Sequence, residues 1–203
     1  MSRPKKTDNN ATIDRWCSDV REELRLLWMS LLDGAQHAIR QDREARHWFG
    51  IEISDLETLL AASEPDCGML ASRCLHPFRP ARQLHDIFGA GQTKGERAQV
   101  ERLDPTITAG LRIMWSGYVF RLQWLMATYP EIWLLCGLTE DDAATLRDAP
   151  ALTIQKAAMR GPYTLVSSLT FRGLLSSKHP LRQSELLRRI AADLNLCTQK
   201  DLA

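Results

Sequence analysis

Apolar residues recur at helical spacing along most of this chain. Trp16, Val20, Leu24, Leu27, Leu31, Ala35 and Ile39 fall three or four residues apart and predict a long helix from a Thr12 cap, the pattern running on to Phe49 and stopping at Gly50. Asp33-Gly34 is a candidate kink. A short helix follows from a Ser54 cap to Leu60 or Ala61; Pro65 breaks it, and a further turn covers Gly68–Cys74. Asp104-Pro105 opens a second long helix, Thr106–Ala127, because proline suits a first helical turn. Pro130–Cys136 is a turn ending at Gly137, where the first half has Arg43 and the helix can continue unbroken. Thr139 caps a helix with Glu140, Asp141 and Asp142 in its first turn, where the dipole favours acids. Leu152–Arg160 makes the next helix, and Gly161-Pro162 ends it. Tyr163–Phe171 is the only β-like stretch, although it also suits a helix. Pro180 opens a last amphipathic helix with Leu181, Leu186, Leu187, Ile190 and Leu194 on one side.

The two long patterns are related. Leu24–Arg73 aligns without a gap onto Leu111–Arg160, an offset of 87. Identities include Leu24/Leu111, Arg25/Arg112, Trp28/Trp115, Gln36/Gln123, Glu44/Glu131, Gly50/Gly137, Thr58/Thr145, Leu59/Leu146, Ala62/Ala149, Ala71/Ala158 and Arg73/Arg160, where composition alone supplies roughly three. The fold class expected is therefore all-α: two related multi-helix units and a C-terminal amphipathic helix. The boundaries are a disordered basic tail over 1–11, unit 1 over 12–74, a loop or linker over 75–104 punctuated by Pro77, Pro80, Gly89, Gly91 and Gly95, unit 2 over 105–175, and a basic helix over 176–203.

Charge changes the picture only locally. The net charge of +1 excludes a global field that would drive the chain onto nucleic acid or an acidic membrane. From Ala151 onward, however, eight Lys or Arg face three acids, whereas residues 111–150 are acidic. A basic end beside an acidic middle suits a partner-binding or DNA-associated protein. Two differently solvated faces give the same distribution. Five cysteines at irregular spacings, with no CxxC, argue against a disulfide framework and point to a reducing cytoplasm. No signal peptide and no membrane span is predicted.

Catalytic motifs are absent: the chain has no phosphate-binding glycine loop and no nucleophile elbow, so an enzyme is not expected. Cys67, Cys74 and His76 could share a zinc ion only if His85 or His47 gave a fourth ligand, and buried thiols are the simpler reading; no metal or cofactor is expected. Thr139–Arg147 and Leu152–Arg160 have the lengths of a helix-turn-helix. Leu152, Ile154, Ala157 and Ala158 would face inward, leaving Thr153, Gln155, Lys156, Met159 and Arg160 outside. Glutamine, lysine and arginine read base edges or hold phosphates, but three acids on the first helix would repel the DNA backbone. A plain helical hairpin in the core is the competing reading. Candidate phosphate contacts are Lys156, Arg160, Arg172, Lys178, Arg182, Arg188 and Arg189. Trp124 and Trp133 widen the apolar surface of the second long helix and are candidate contacts for a protein partner.

One family resemblance rests on Trp133-Leu134-Leu135-Cys136-Gly137-Leu138-Thr139-Glu140-Asp141-Asp142-Ala143-Ala144 and Leu152-Thr153-Ile154-Gln155-Lys156-Ala157-Ala158. This text resembles the FlhD family of flagellar transcriptional activators, and Phe49-Gly50-Ile51 with Leu56–Ala62 resembles the same unit more faintly. The resemblance implies an all-α regulator acting with a partner subunit, with promoter recognition belonging to the assembly; such regulators also occur on conjugative elements. The chain departs from the family in carrying two units where the family uses two chains, and it lacks the cysteine cluster of the partner FlhC. The function expected is a DNA-associated regulatory subunit working in a hetero-oligomer or homodimer. The alternative is a non-enzymatic helical component of a secretion or conjugation apparatus.

Overall fold

The computed structural model describes residues 6–73, 77–167 and 190, with side chains from residue 13 onward except that of Arg73. The fold is all-α apart from one two-stranded ladder. Helix α1 is Lys6–Gln41, α2 is Ile53–Ala61 and α3 is Glu64–Arg73. Strand β1 (Phe78–Pro80), α4 (Leu84–Ala90) and α5 (Lys94–Val100) connect the halves. Then come α6 (Pro105–Thr128), α7 (Glu140–Asp148), α8 (Ala151–Arg160) and β2 (Leu165–Ser167). A 3₁₀ turn follows each long helix, Arg43–Phe49 and Pro130–Cys136.

From the first 3₁₀ turn to β1, every element begins and ends 87 residues before its counterpart in the second half. The local chemistry coincides too. Each 3₁₀ turn closes on a glycine in the left-handed region, Gly50 (φ 60°) and Gly137 (φ 66°). There, Ile51 N–H donates to Arg46 O at 3.2 Å and Leu138 N–H to Trp133 O at 3.1 Å. The last carbonyls of a helix have no intrahelical donor. Gln36 Nε2 supplies one to Leu59 O (2.7 Å) and Ala62 O (2.9 Å), and Gln123 Nε2 supplies one to Leu146 O (3.0 Å) and Ala149 O (2.6 Å). Both amides thus pin the end of a short helix to the long helix that carries them.

The halves pack through α1 and α6. Gly34 lies against the Met114 thioether, Trp28 meets Tyr118 (6.4 Å between ring centroids), Arg121 pairs with Glu23, and Trp16 meets Tyr129 edge-on at 6.0 Å. The numbers rise on one helix as they fall on the other, so the helices are antiparallel. Strands β1 and β2 are antiparallel as well, pairing Phe78 with Ser167, Arg79 with Val166 and Pro80 with Leu165. Each pair joins positions related by the same offset, with Arg79 and Val166 at the centre. The correspondence therefore extends past Arg73 and Arg160 to the strands, and the halves face each other about an approximate twofold. Trp28 and Trp115 are buried in the shared core, the latter against Tyr163 with the ring centroids 4.7 Å apart and the planes tilted by 51°.

Several expected boundaries differ. α1 starts at Lys6, so the expected tail over 1–11 is helical from that residue. It ends at Gln41 without a proline: Asp42 turns extended and accepts the Glu44 N–H at 2.9 Å, which starts the 3₁₀ turn. Asp33-Gly34 does not split α1; Gly34 admits Met114 instead. Of the expected loop over 75–104, the described residues from 77 onward are structured and clamped to unit 2. Leu84 N–H donates to the buried Asp142 carboxylate at 2.6 Å, and Gln92 Nε2 donates to Pro162 O at 2.8 Å. Thr93 and Glu96 form a capping box for α5. The Glu96 carboxylate also accepts from Arg82 (3.1 Å) and Thr164 N–H (3.3 Å). The C-terminal helix lies outside the described residues except Ile190, which is helical and packs half-buried against the core.

Candidate nucleic-acid and partner interface

Helices α7 and α8 form the expected hairpin. Thr139 caps α7 by accepting the Asp142 N–H (3.1 Å), and Ala149 and Pro150 make the turn. Ile154, Ala157 and Ala158 of α8 are buried, leaving Gln155, Lys156, Met159 and Arg160 exposed. Thr153 is intermediate. Leu152 was expected inside and is 58% exposed instead, in the first turn of α8. Among the acids of α7, Glu140 and Asp141 are exposed while Asp142 is turned inward onto Thr139 and Leu84. Sequence reading treated Asp142 as one of three dipole acids. The missed signal was the identity Asp55/Asp142 across the offset, and both carboxylates are buried.

Of the seven basic candidates, Lys156 and Arg160 lie among the described residues; Arg172, Lys178, Arg182, Arg188 and Arg189 lie outside them. Lys156 is exposed on α8. Arg160 donates to Phe88 O (2.7 Å) and Gly89 O (3.2 Å), so its guanidinium already closes the C-terminal end of α4. Trp124 is 42% exposed, with the Arg121 guanidinium 4.5 Å over its ring and Tyr129 at its edge. Trp133 is half-buried against the core and presents less surface than the sequence suggested.

The thiols of Cys67 and Cys136 are buried, and burial pushes both up from the ordinary range, which keeps them protonated at neutral pH rather than poised as nucleophiles. Among the described residues no group of three His, Cys, Asp or Glu could hold a metal ion; Cys74 and His76 lie outside them. No described helix is long and apolar enough to cross a membrane. An open groove of about 530 Å³ lies between α6 and α8, walled by Ile113 and Met159. The chain matches no family model, no characterised protein and no solved structure.

Proposed function

We propose that this protein is a transcription-regulatory, DNA-associated subunit acting with a protein partner. The observation that carries the reading is the outer row of α8. Gln155 and Lys156 project from an amphipathic helix reached through a short turn, and the chain beyond it is rich in Lys and Arg. The FlhD resemblance spans this same hairpin and supports the same reading. Exposed Glu140 and Asp141 weigh against α7 crossing a phosphate backbone, so α8 and the basic residues after it would meet DNA while the partner completes recognition.

The second reading is a helical assembly component of a secretion or conjugation apparatus. It is favoured by the exposed apolar surface of unit 2 and by the internal use of Arg160. Purification from native lysate with and without nuclease separates the two. The regulatory reading expects promoter DNA retained through a partner. Binding should weaken steeply with salt, by a log–log slope of about −0.9 per phosphate contacted. Lys156→Gln and the pair Arg188→Gln/Arg189→Gln should each flatten that slope. Partners unchanged by nuclease, drawn from an envelope apparatus and without specific DNA, would overturn it.

A further inference from the structure

The groove between α6 and α8 has a counterpart in unit 1, and the two are finished differently. In unit 2 it is lined by Ala109, Arg112, Ile113, Ser116, Gln155 and Met159. Ile113 and Met159 are 74% and 77% exposed. The buried Nε of Arg112 has no hydrogen-bond partner among the described residues. The equivalent positions, 87 residues earlier, are Glu22, Arg25, Leu26, Met29, Gly68 and Ser72. There Glu22 takes Arg25 in a two-pronged ion pair (2.6 and 2.8 Å). The Met29 thioether lies over Gly68, 3.8 Å from where a Cβ would stand. Unit 1 thus covers Gly68 with its own Met29 and neutralises its own arginine, and the hollow that remains beside Met29, about 370 Å³, is smaller than the unit 2 groove. In unit 2 the carboxylate is replaced by Ala109 and the thioether by Ser116.

We propose that the unit 2 groove docks a helical segment of a partner protein that supplies in trans what unit 1 supplies in cis: a carboxylate for Arg112 above Ala109 and a long unbranched apolar side chain beside Ser116 and Gln155. A buried guanidinium N–H left without an acceptor is costly, and a carboxylate is its best partner. An apolar groove between helices takes the apolar face of an amphipathic helix, and methionine adapts well to such a gap. Glu22 and Met29 are two helical turns apart, so the partner's acid and apolar anchor must lie about 10 Å apart along its axis. Lys156, one turn from Met159, extends the preference for an acidic flank. The inference rests on the partner half of the reading above and is independent of DNA.

The test uses the full chain and a panel of fluorescein-labelled stapled helical peptides. Each carries one Glu, a Met seven residues away and a Leu between them on the same face. The expected result is saturable one-to-one binding. Glu→Gln in the peptide or Arg112→Gln in the chain should weaken it at least tenfold. So should the graft Ala109→Glu/Ser116→Met, which installs the unit 1 side chains and should leave the unfolding temperature unchanged. Should the graft destabilise the fold, Met159→Ser, the unit 1 residue on an exposed site, gives the same reading. The proposal is overturned if no panel member binds or if Arg112→Gln and Met159→Ser bind as wild type. It is equally overturned if sedimentation shows a dimer that Met159→Ser splits, since the groove then belongs to a second copy. Loss of DNA retention with peptide binding intact would sink the DNA reading alone.

Discussion

Helices α1 and α6 occupy matching places in the two units, yet their outer faces have opposite character. α1 exposes Asp19, Glu22, Asp33, His37 and Arg40. Every exposed residue of α6 is uncharged, Ala109, Ile113, Gly117 and Trp124 among them. Large exposed apolar side chains follow the same division: Leu26 and Ile53 in unit 1, but Ile113, Trp124, Leu134, Leu152 and Met159 in unit 2. At four of those five unit 2 positions, unit 1 has His37, His47, Pro65 or Ser72. Burial holds the inner positions to one pattern because a close-packed core tolerates little change in volume. No such constraint acts on the outside, so there the two surfaces are free to differ, and on the proposal above the apolar surface of unit 2 is the one that would meet a partner.

The comparison breaks most readily in the core. Trp28→Ala and Trp115→Ala should each cost about 3–5 kcal/mol in urea unfolding, since both indoles are fully buried. Trp115→Ala should cost the more, because its ring lies closer to Tyr163 (4.7 Å between centroids) than that of Trp28 does to Tyr118 (6.4 Å). Among the described residues neither indole N–H has a hydrogen-bond partner, so Trp→Phe at either site removes volume and none of the described bonds. A cost confined to one tryptophan would show that the units do not share one core.

Gly50→Ala should cost about 2–4 kcal/mol, combining the left-handed backbone with overpacking. A Cβ there would stand 2.9 Å from Leu165 O and Ser167 N, backbone atoms of β2 that cannot swing aside. Thermal unfolding checks it, and a neutral result would place β2 away from Gly50. The paired amides come next. Gln36→Ala takes its donor from Ala62 O and leaves Leu59 O with the Ala62 N–H alone, and should cost about 1–3 kcal/mol. Gln123→Ala should cost less, because Gln123 is only half-buried and water can replace it. The reverse order would contradict the burial difference between the units.

The smallest effect is one of pH. Hydrogen bonds from the Ser63 hydroxyl and backbone hold the Asp66 carboxyl below its ordinary range, and the Thr106 N–H does the same for Asp104. A depressed carboxyl contributes stability above its unfolded value, near pH 4, and loses it as pH falls through the folded one. Asp66→Asn and Asp104→Asn should therefore flatten the acid limb of the stability profile by lowering the neutral plateau slightly toward the acid value. An unchanged acid limb would show that neither cap is formed in solution.

Much of this was legible in the sequence. Helical periodicity located the two long helices, Pro130 and Gly137 located the turn after the second, and the Thr139 signal located α7. Three features were not legible. The end of α1 at Gln41 depends on the Asp42 side chain capping a 3₁₀ turn, a choice that apolar periodicity does not encode. The prolines and glycines of 75–104 read as a loop, whereas distant acceptors, Asp142 and Pro162 O, hold α4 and the turn after it in place. Strand β1 is three residues long and exists only because β2 pairs with it, so no local pattern announces it. For the interface, the outward row of α8 was legible apart from Leu152. The engagement of Arg160 with α4 and the unpaired Arg112 required coordinates.

The central claim is that the two halves face each other about Arg79 and Val166. Ala81 N–H donates to Thr164 O, which makes Pro80/Leu165 and Phe78/Ser167 the close, non-hydrogen-bonded pairs of the ladder. Nuclear Overhauser spectroscopy on the full chain should therefore give Hα–Hα cross-peaks between Phe78 and Ser167 and between Pro80 and Leu165. Cross-peaks displaced by one residue or more, or none at all, would contradict the account.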